Sequence, residues 1–297
     1  MPNKKTATKT PDDIGAIEAG LDALDTPVED STRSPAKRIL SSLYPPVLAI
    51  VVLLVIWWVA YWLKLQPPHL LPSPLDVWGT FTKLLTNGAV WEAVTKSLQR
   101  AFLGFAISVV LGTLLGLALA QFTLFRRAFG PLITGLQILP SIAWVPAAIL
   151  WFGIRTEAML FVVILGATPS IANGLASGIA QMPSIYPRVG KMLGATGFDA
   201  IRFVILPAAL PGYIAGLRQG WAFAWRSLMA AELIAYAPAL GIGLGQVLQQ
   251  GRELVDMPMV MTAIILILFV GILVELCIFA PLERYVLKQR GLAGAKR

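Results

Sequence analysis

Four long stretches of this sequence contain no charged residue, and this pattern constrains the fold more than any other feature of the chain. The four stretches are Ile39–Leu63, Ala101–Phe125, Ala128–Ile154 and Ala158–Pro187. A helix needs about 20 mainly apolar residues to cross the hydrocarbon core of a bilayer. Because each stretch is long enough for one crossing, the four stretches predict four membrane-spanning helices.

Two further apolar stretches, residues 212–236 and 257–281, contain only a few charged side chains. With them, the sequence predicts an all-α membrane protein with six transmembrane helices, near residues 44–64, 101–123, 131–153, 158–179, 213–236 and 259–281. The composition agrees, since 57% of the residues are hydrophobic and 13% are charged, whereas a soluble domain is about 25% charged. An ordinary cytosolic enzyme is therefore excluded.

Lysine and arginine are unevenly distributed between the loops that join these spans. They are frequent in the N-terminal tail, after the second and fourth spans and in the C-terminal tail, and less frequent in the other loops. Because short loops rich in Lys and Arg stay in the cytoplasm, the N and C termini are both predicted to lie inside the cell. The net charge of +8 is explained by this bias, so nucleic-acid binding is not indicated.

The chain divides into four predicted regions. Residues 1–37 are polar, which predicts a disordered cytoplasmic tail. Residues 38–92 hold the first transmembrane helix and an outer amphipathic linker, residues 93–282 form the helical core with a loop at 180–212, and residues 283–297 form a basic cytoplasmic tail. The linker is predicted to contain an amphipathic helix that lies in the membrane interface or packs on the bundle as a connector. Its apolar residues at helical spacing are Leu75, Val77, Trp78, Phe81, Leu84 and Leu85.

Small residues and prolines inside the predicted spans indicate how the helices pack and bend. Gly112-x-x-x-Gly116 and Gly174-x-x-x-Gly178 predict close helix–helix packing, because residues without bulky side chains let two backbones approach. Pro140 and Pro146 in the third span and Pro169 in the fourth predict kinks or breaks.

The longest predicted cytoplasmic loop has the pattern of a helix, a turn and a second helix. Ser184 is a suitable N-cap for the first helix, and Gly194 suits the left-handed residue that follows it. Thr196 is a suitable N-cap for the second helix, which Pro207 and Pro211 are expected to stop. A helical hairpin between two spans is suited to docking a cytosolic partner.

This loop resembles the coupling loop of the permease subunits of binding-protein-dependent ABC importers. The family pattern is E-A-A-(x)3-G-(x)9-I-x-L-P. Gly194 is the glycine of that pattern, and Val204–Pro207 stand at the required offset. The E-A-A positions are Arg188–Gly190, so the acidic residue of the pattern is absent from this chain.

The resemblance covers about residues 68–292 and is to the branch that transports nitrate, aliphatic sulfonates, taurine and bicarbonate. The motifs that carry it are Leu71-Pro72-Ser73-Pro74 with Val77-Trp78, Ser97-Leu98-Gln99-Arg100, Trp151-Phe152-Gly153-Ile154, Gly216-Leu217-Arg218, Ala224-Trp225-Arg226 with Ala230-Ala231-Glu232, Gly243-Leu244-Gly245 and Leu282-Glu283-Arg284. It implies a type I importer in the bacterial cytoplasmic membrane. Such an importer has two permease copies, here expected to form a homodimer, two cytosolic ATPases and an extracytoplasmic binding protein.

The resemblance also implies a division of labour. ATP and Mg are used by the partner ATPases, so this chain is not expected to be an enzyme or to bind a cofactor, and it lacks the phosphate-binding pattern G-x-x-x-x-G-K-[ST]. The implied solute is a small anion handed over by the binding protein, most directly an aliphatic sulfonate, or nitrate or taurine. The alternatives are another small solute such as bicarbonate or a thiamin-precursor pyrimidine, and a stand-alone secondary transporter. The residues expected to couple ATPase and transport are Gly194, Thr196, Phe198, Asp199, Ile201, Arg202, Leu206 and Pro207.

Charged side chains inside the spans are expected to line a solute path or to form ion pairs. Arg226, together with Trp225 and Glu232, is the candidate for the solute path, and an ion pair between Arg226 and Glu232 is the structural alternative. Arg218 and Glu275 are expected to pair with each other. The chain has one Cys and one His, so neither a Cys/His metal site nor a catalytic residue is predicted.

Overall fold

The structure is a computed structural model that describes residues 35–235 and 241–289, with side chains from residue 44 onward. The predicted disordered tail, except for its last residues, and the end of the basic tail lie outside this part of the chain. By packing, the chain divides into two units, residues 1–59 and 60–297.

The secondary structure of the described residues is helical throughout, which confirms the all-α prediction. The helices are α1 (Pro35–Trp62), α2 (Pro74–Thr86), α3 (Ala89–Gln121), α4 (Thr123–Ile138), α5 (Val145–Phe152), α6 (Thr156–Ala180), α7 (Ile185–Met192), α8 (Gly197–Ala200), α9 (Leu206–Ile234), α10 (Leu244–Glu253), α11 (Met257–Val274) and α12 (Ala280–Gln289). A 3-10 turn at Ser141–Trp144 precedes α5. Two π turns, Ile201–Ile205 and Glu275–Phe279, join α8 to α9 and α11 to α12.

Five segments of the described chain are long and apolar enough to cross a membrane as single helices. They are Tyr44–Trp62, Ala89–Gln121, Thr156–Ala180, Gly197–Ile234 and Met257–Gln289. A bent pair, Thr123–Ile138 with Ser141–Phe152, makes a sixth crossing if the pair is counted as one span. The order agrees with the predicted spans, but the second helix begins at Ala89 and the fifth at Gly197, well before residues 101 and 213. The second is continued by a segment with several polar residues, and the fifth by the mainly apolar residues 197–212 of the hairpin.

The third span is broken where the sequence predicts a break. Its two halves meet at an angle of 98°, and Leu139, which precedes Pro140, has extended backbone angles (φ −66°, ψ 125°), as expected for a residue before proline. Pro146 lies in the first turn of α5, where a missing N–H costs no hydrogen bond. Pro169 lies inside α6, which continues without a break, so the prediction of a break holds for the third span only.

Helix α6 is the centre of the bundle, with α3 on one side and α9 on the other, and 67% of its apolar window is buried. The glycines predicted to allow close packing lie at these contacts. A Cβ on Gly112 would lie 2.7 Å from Cβ of Ile171, and Gly174 and Gly178 of α6 face Gly216 and Gly212 of α9 backbone to backbone. A close glycine-lined seam therefore joins α6 to α9.

Helix α2 is the amphipathic linker helix. Its start is fixed by a capping box, in which Ser73 Oγ accepts from the backbone N–H of Asp76 at 3.1 Å and the Asp76 carboxylate accepts from the backbone N–H of Ser73 at 3.1 Å. Val77 is buried, and Thr262 Oγ1 of α11 lies 3.3 Å from the Val77 carbonyl. Trp78 is 63% exposed, so one face of α2 packs on the bundle and the other remains open.

Candidate functional site

The loop between the fourth and fifth spans folds as the predicted hairpin. Helix α7 is followed by Gly194, whose φ of +86° lies in the left-handed region that favours glycine. The chain then returns through α8 and the first π turn. A Cβ on Gly190 would lie 2.8 Å from Cγ2 of Val204, because α7 packs closely on this turn. Gly190 stands at an alanine position of the family pattern, and the close packing explains why a small residue is needed there.

Two details of the hairpin differ from the prediction. Ser184 and Thr196 stand at the N-cap positions of α7 and α8, but neither side chain caps its helix. Pro207 and Pro211 do not stop the second helix, which runs continuously from Gly197 to Ile234. The π turn lies directly before Pro207, and such a local change in the hydrogen-bonding pattern lets a membrane helix continue past a proline. Pro211 is tolerated inside the helix, as prolines are in packed membrane helices.

The hairpin exposes a cluster of apolar side chains at its tip. Phe198, one of the predicted coupling residues, is 71% exposed, and Met192 is 86% exposed. Among the other predicted coupling residues, Thr196, Asp199, Arg202 and Pro207 are exposed, whereas Ile201 and Leu206 are half-buried. Apolar side chains that are also exposed here, and that the sequence did not single out, are Ile185, Tyr186, Leu193 and Phe203. An apolar cluster on a hairpin between two spans has the properties of a docking surface.

The far end of α9 carries a buried ion pair. Glu232 and Arg100 of α3 are 0% and 6% exposed, and Arg100 NH1 donates to Glu232 Oε1 at 2.8 Å. The alternative pairing of Arg226 with Glu232 is therefore wrong: the buried carboxylate is satisfied by a cation from another helix.

The same carboxylate also binds the start of α10. Glu232 Oε2 accepts from Ser97 Oγ at 2.7 Å and from the backbone N–H of Gly245 at 3.0 Å. Ser97 Oγ accepts in turn from the backbone N–H of Leu244 at 2.8 Å. A Cβ on Gly243 would lie 2.5 Å from Glu232 Oε1, so the glycines around Leu244 leave room for the carboxylate. Three motifs separated in the sequence thus converge on one network, which we call the Glu232 network: Ser97 with Arg100, Glu232, and Gly243–Gly245.

Arg226 lies on an exposed face of α9, away from the Glu232 network. Its Nε donates to the Ala222 carbonyl at 3.2 Å, and its Cζ lies 4.6 Å from the centroid of the Phe223 ring. In the described part of the chain, Arg226 has no carboxylate partner. It lines a cavity of about 360 Å³ between α9 and the break in the third span. The polar side chains of this cavity also include Gln137 and Ser141, and Ser227 Oγ lies 2.7 Å from Ser141 Oγ.

The other charged and aromatic candidates have structural contacts. Trp225 is buried, stacks on Trp221, and its Nε1 lies 3.3 Å from the Ile267 carbonyl of α11. Neither Trp225 nor Glu232 therefore lines the cavity beside Arg226. The predicted contact between Arg218 and Glu275 is present, and Arg218 also pairs with Glu283 at 2.8 Å. The described residues contain no group of three or more His, Cys, Asp or Glu side chains that could hold a metal ion.

Comparisons with known proteins agree with this arrangement. Residues 108–286 match the family described as "Binding-protein-dependent transport system inner membrane component". The taurine transport system permease protein TauC of Escherichia coli (strain K12) is 31% identical over 76% of this chain and 82% of its own length. The putative aliphatic sulfonates transport permease protein SsuC of the same strain is 31% identical over 82% of this chain and 90% of its own.

A solved structure has a similar fold. A chain from an inward-facing structure of the MetNI methionine ABC transporter aligns with a TM-score of 0.53 and 24% identity, covering 69% of this chain and 97% of that one. This similarity supports the helical architecture of the permease core.

Proposed function

This chain belongs to the family of binding-protein-dependent inner membrane components, and we propose that it is the permease subunit of an ATP-driven importer whose solute is a small organic oxyanion of the aliphatic sulfonate class. Membership of the family makes it a multi-pass inner-membrane permease of an ABC transporter. The solute class is supported by two relatives at about 30% identity, one named for taurine and one for aliphatic sulfonates.

The observation that carries the coupling role is the exposed apolar tip of the hairpin. Phe198 and Met192 project from a loop that matches the coupling-loop pattern in its glycine and in its terminal Leu206-Pro207. Exposed apolar side chains gain free energy when a partner covers them, at roughly 25 cal/mol per Å² of buried apolar area. In our proposal, a cytosolic ATPase covers this tip, and ATP binding and hydrolysis take place in that partner.

The proposed assembly has two copies of this chain, two ATPases and an extracytoplasmic binding protein. The N and C termini and the hairpin lie on the cytoplasmic side, as the distribution of Lys and Arg favours. This chain itself then needs neither a nucleotide site nor a cofactor, since the permease provides the path and the ATPase provides the energy.

The test is complex formation with a cognate ATPase. The full chain is co-expressed with the ATPase and purified in detergent, and native mass spectrometry measures the stoichiometry. Phe198→Asp, which places a charge in the apolar tip, is expected to remove the ATPase and to abolish ATP-driven uptake in proteoliposomes. Tyr285→Asp makes a similar change at an exposed aromatic residue of α12, outside the hairpin, and is expected to keep the complex.

Two results would contradict the proposal. A wild-type chain that binds none of several cognate ATPases would restore the stand-alone transporter as the better hypothesis. Equal loss of the ATPase in Phe198→Asp and Tyr285→Asp would mean that the hairpin is not the specific docking surface.

A further inference from the structure

The apolar stretches 213–236 and 259–281 contain four charged residues, and among the described residues Arg226 is the one of these four that has no partner of opposite charge. Arg100 and Arg218 are neutralised by Glu232 and by Glu275 with Glu283. A charge inside a membrane span is costly unless it pairs or faces water. Since its Nε bond to the Ala222 carbonyl does not neutralise the charge, we expect Arg226 to face a water-filled path or to bind a negatively charged ligand.

The exposed face of α9 that carries Arg226 differs from a lipid-facing surface. Its neighbours at helical spacing are the small or polar residues Ala215, Gln219 and Ala222. The exposed face of α11, in contrast, consists of bulky apolar side chains: Ile264, Ile265, Leu268, Phe269, Ile272 and Leu273. Because bulky apolar side chains suit contact with lipid tails, α11 has the lipid-facing pattern and the Arg226 face of α9 does not.

The guanidinium is held in position for a ligand. The Ala222 carbonyl accepts from Nε, and the Phe223 ring lies beneath Cζ, which is the geometry of a cation–π contact. These two contacts leave the terminal nitrogens of Arg226 without a protein acceptor in the described part of the chain. Two parallel N–H groups of a guanidinium match two oxygens of an oxyanion.

The cavity next to Arg226 adds selectivity for the rest of the ligand. Leu136, Leu165 and Phe223 give it an apolar wall, while Gln137 and Ser141 are polar groups on the third span. The lining contains no Asp or Glu. An alkyl group fits such a wall, but an ammonium group would lose its hydration without gaining a counter-charge.

We propose that this cavity binds a net-negative alkanesulfonate, with the sulfonate on Arg226 and the alkyl chain on the apolar wall, and that it discriminates against zwitterionic sulfonates such as taurine. The inference rests on the proposed function, since it assigns the solute path of that importer. It refines the solute class from oxyanions in general to those that carry no compensating positive charge.

The experiment measures equilibrium binding by isothermal titration calorimetry to the full chain in complex with its ATPase, without the binding protein. The probes are butane-1-sulfonate, the neutral butane-1-sulfonamide and taurine. We expect the sulfonate to bind and the other two probes to bind at least about tenfold more weakly, as expected for the loss of a charge-assisted hydrogen bond or for an unpaired ammonium.

Variants test the assignment to Arg226. Arg226→Gln is expected to weaken sulfonate binding at least about tenfold, and Arg226→Lys is expected to have an intermediate effect, since it keeps the charge but loses the planar fork. The matched control is Arg127→Gln, the same substitution at an exposed arginine outside the cavity, which is expected to bind like the wild type. Size-exclusion profiles check that every variant remains folded and bound to the ATPase.

The outcomes separate this inference from the proposed function. Sulfonate binding that is absent from the wild type, or unchanged in Arg226→Gln, would overturn the inference, and equal binding of taurine would overturn the proposed selectivity. If the inference fails but the wild-type chain still forms the ATPase complex and supports ATP-driven solute uptake, the importer assignment remains valid. Arg226-dependent sulfonate binding by a chain that recruits no ATPase would support the inference and contradict the importer assignment.

Discussion

Glycine-to-alanine substitutions are expected to change the stability of this protein in opposite directions, depending on whether the glycine lies in the seam between α6 and α9 or has open space around it. Gly216 faces Gly174, and a Cβ at Gly216 would lie 2.7 Å from the Gly174 Cα and 3.1 Å from the Ser170 carbonyl oxygen. Both atoms belong to the backbone of α6, so no side-chain rotation relieves the clash. Since two carbon atoms pack at about 3.5–4.0 Å, Gly216→Ala must push the helices apart by about 1 Å.

A separation of that size affects the whole seam, because Gly212 and Gly178 are in equally close contact. A gap of about 0.5–1 Å removes a quarter to a half of the dispersion energy of each contact. We therefore expect Gly216→Ala to destabilise the protein by roughly 1–3 kcal/mol, the usual cost of overpacking a tight core.

The control is Gly79→Ala. Gly79 lies inside α2, and a Cβ there would meet nothing within 4 Å. Alanine in a helix interior is favoured over glycine by roughly 0.5–1 kcal/mol, so this variant is expected to be stabilised. The two substitutions add the same methyl group, and only the surroundings differ.

Thermal unfolding of the full chain in detergent, followed by tryptophan fluorescence, measures both variants. Gly216→Ala is expected to lower the apparent Tm by several degrees, at roughly 2–4 °C for each kcal/mol, and Gly79→Ala to raise it slightly. A Gly216→Ala protein as stable as the wild type would refute the reasoning, because it would mean that α6 and α9 do not pack backbone to backbone.

Two further predictions concern the Glu232 network and the start of α2. Arg100→Met leaves the buried Glu232 carboxylate without its cation and is expected to cost about 3–5 kcal/mol in denaturant unfolding. Adding Glu232→Gln should recover part of this loss, and a double variant whose loss equals the sum of the losses of the two single variants would show that the two residues are not coupled. Ser73→Ala removes the side-chain acceptor of the α2 capping box and is expected to cost about 1 kcal/mol, seen as faster amide hydrogen exchange in the first turn of α2. Unchanged exchange there would show that the cap does not hold this helix.

The sequence predicts features that depend on local chemistry. The break in the third span follows from Pro140, the turn of the hairpin from Gly194, and the seam from the spacing of Gly174 and Gly178. Each of these residues limits its own backbone or its own helix surface, so a pattern a few residues long is enough to recognise it.

Contacts between residues that are far apart in the sequence could not be predicted from such short patterns. Arg100 and Glu232 are 132 residues apart in sequence, and the apolar windows give no information on which helices become neighbours. Arg226 is nearer to Glu232 along the chain, but its side chain lies on the exposed face of α9 while Glu232 is buried. The motifs that contain Ser97, Glu232 and Gly243 were visible as separate resemblances, and only the fold shows that they form one network.

The continuity of the fifth span changes how the hairpin is expected to act. Prolines at 207 and 211 had indicated a separate coupling helix, whereas one helix runs from Gly197 to Ile234. Phe198 lies at one end of this helix and Glu232 at the other, with Arg226 between them. In the proposed importer, we therefore expect a movement of Phe198 to reach the Arg226 face along this helix, through the π turn at Ile201–Ile205.

The seam then determines which helices take part in this movement. Because α9 is in backbone contact with α6, the two helices have to move together, and the Glu232 network ties the end of α9 to α3 and α10. The break at Leu139–Pro140 is not part of the seam or of the Glu232 network, but Ser141 Oγ, just after it, lies 2.7 Å from Ser227 Oγ of α9. The cavity that contains Arg226 is formed against this break. A displacement of the α6–α9 pair relative to this break would change the shape of the Arg226 cavity while leaving the helix–helix seams intact. In the proposed importer, we therefore expect alternating access to involve rearrangement at the broken span, including the contact between Ser141 and Ser227, and not within the glycine seam.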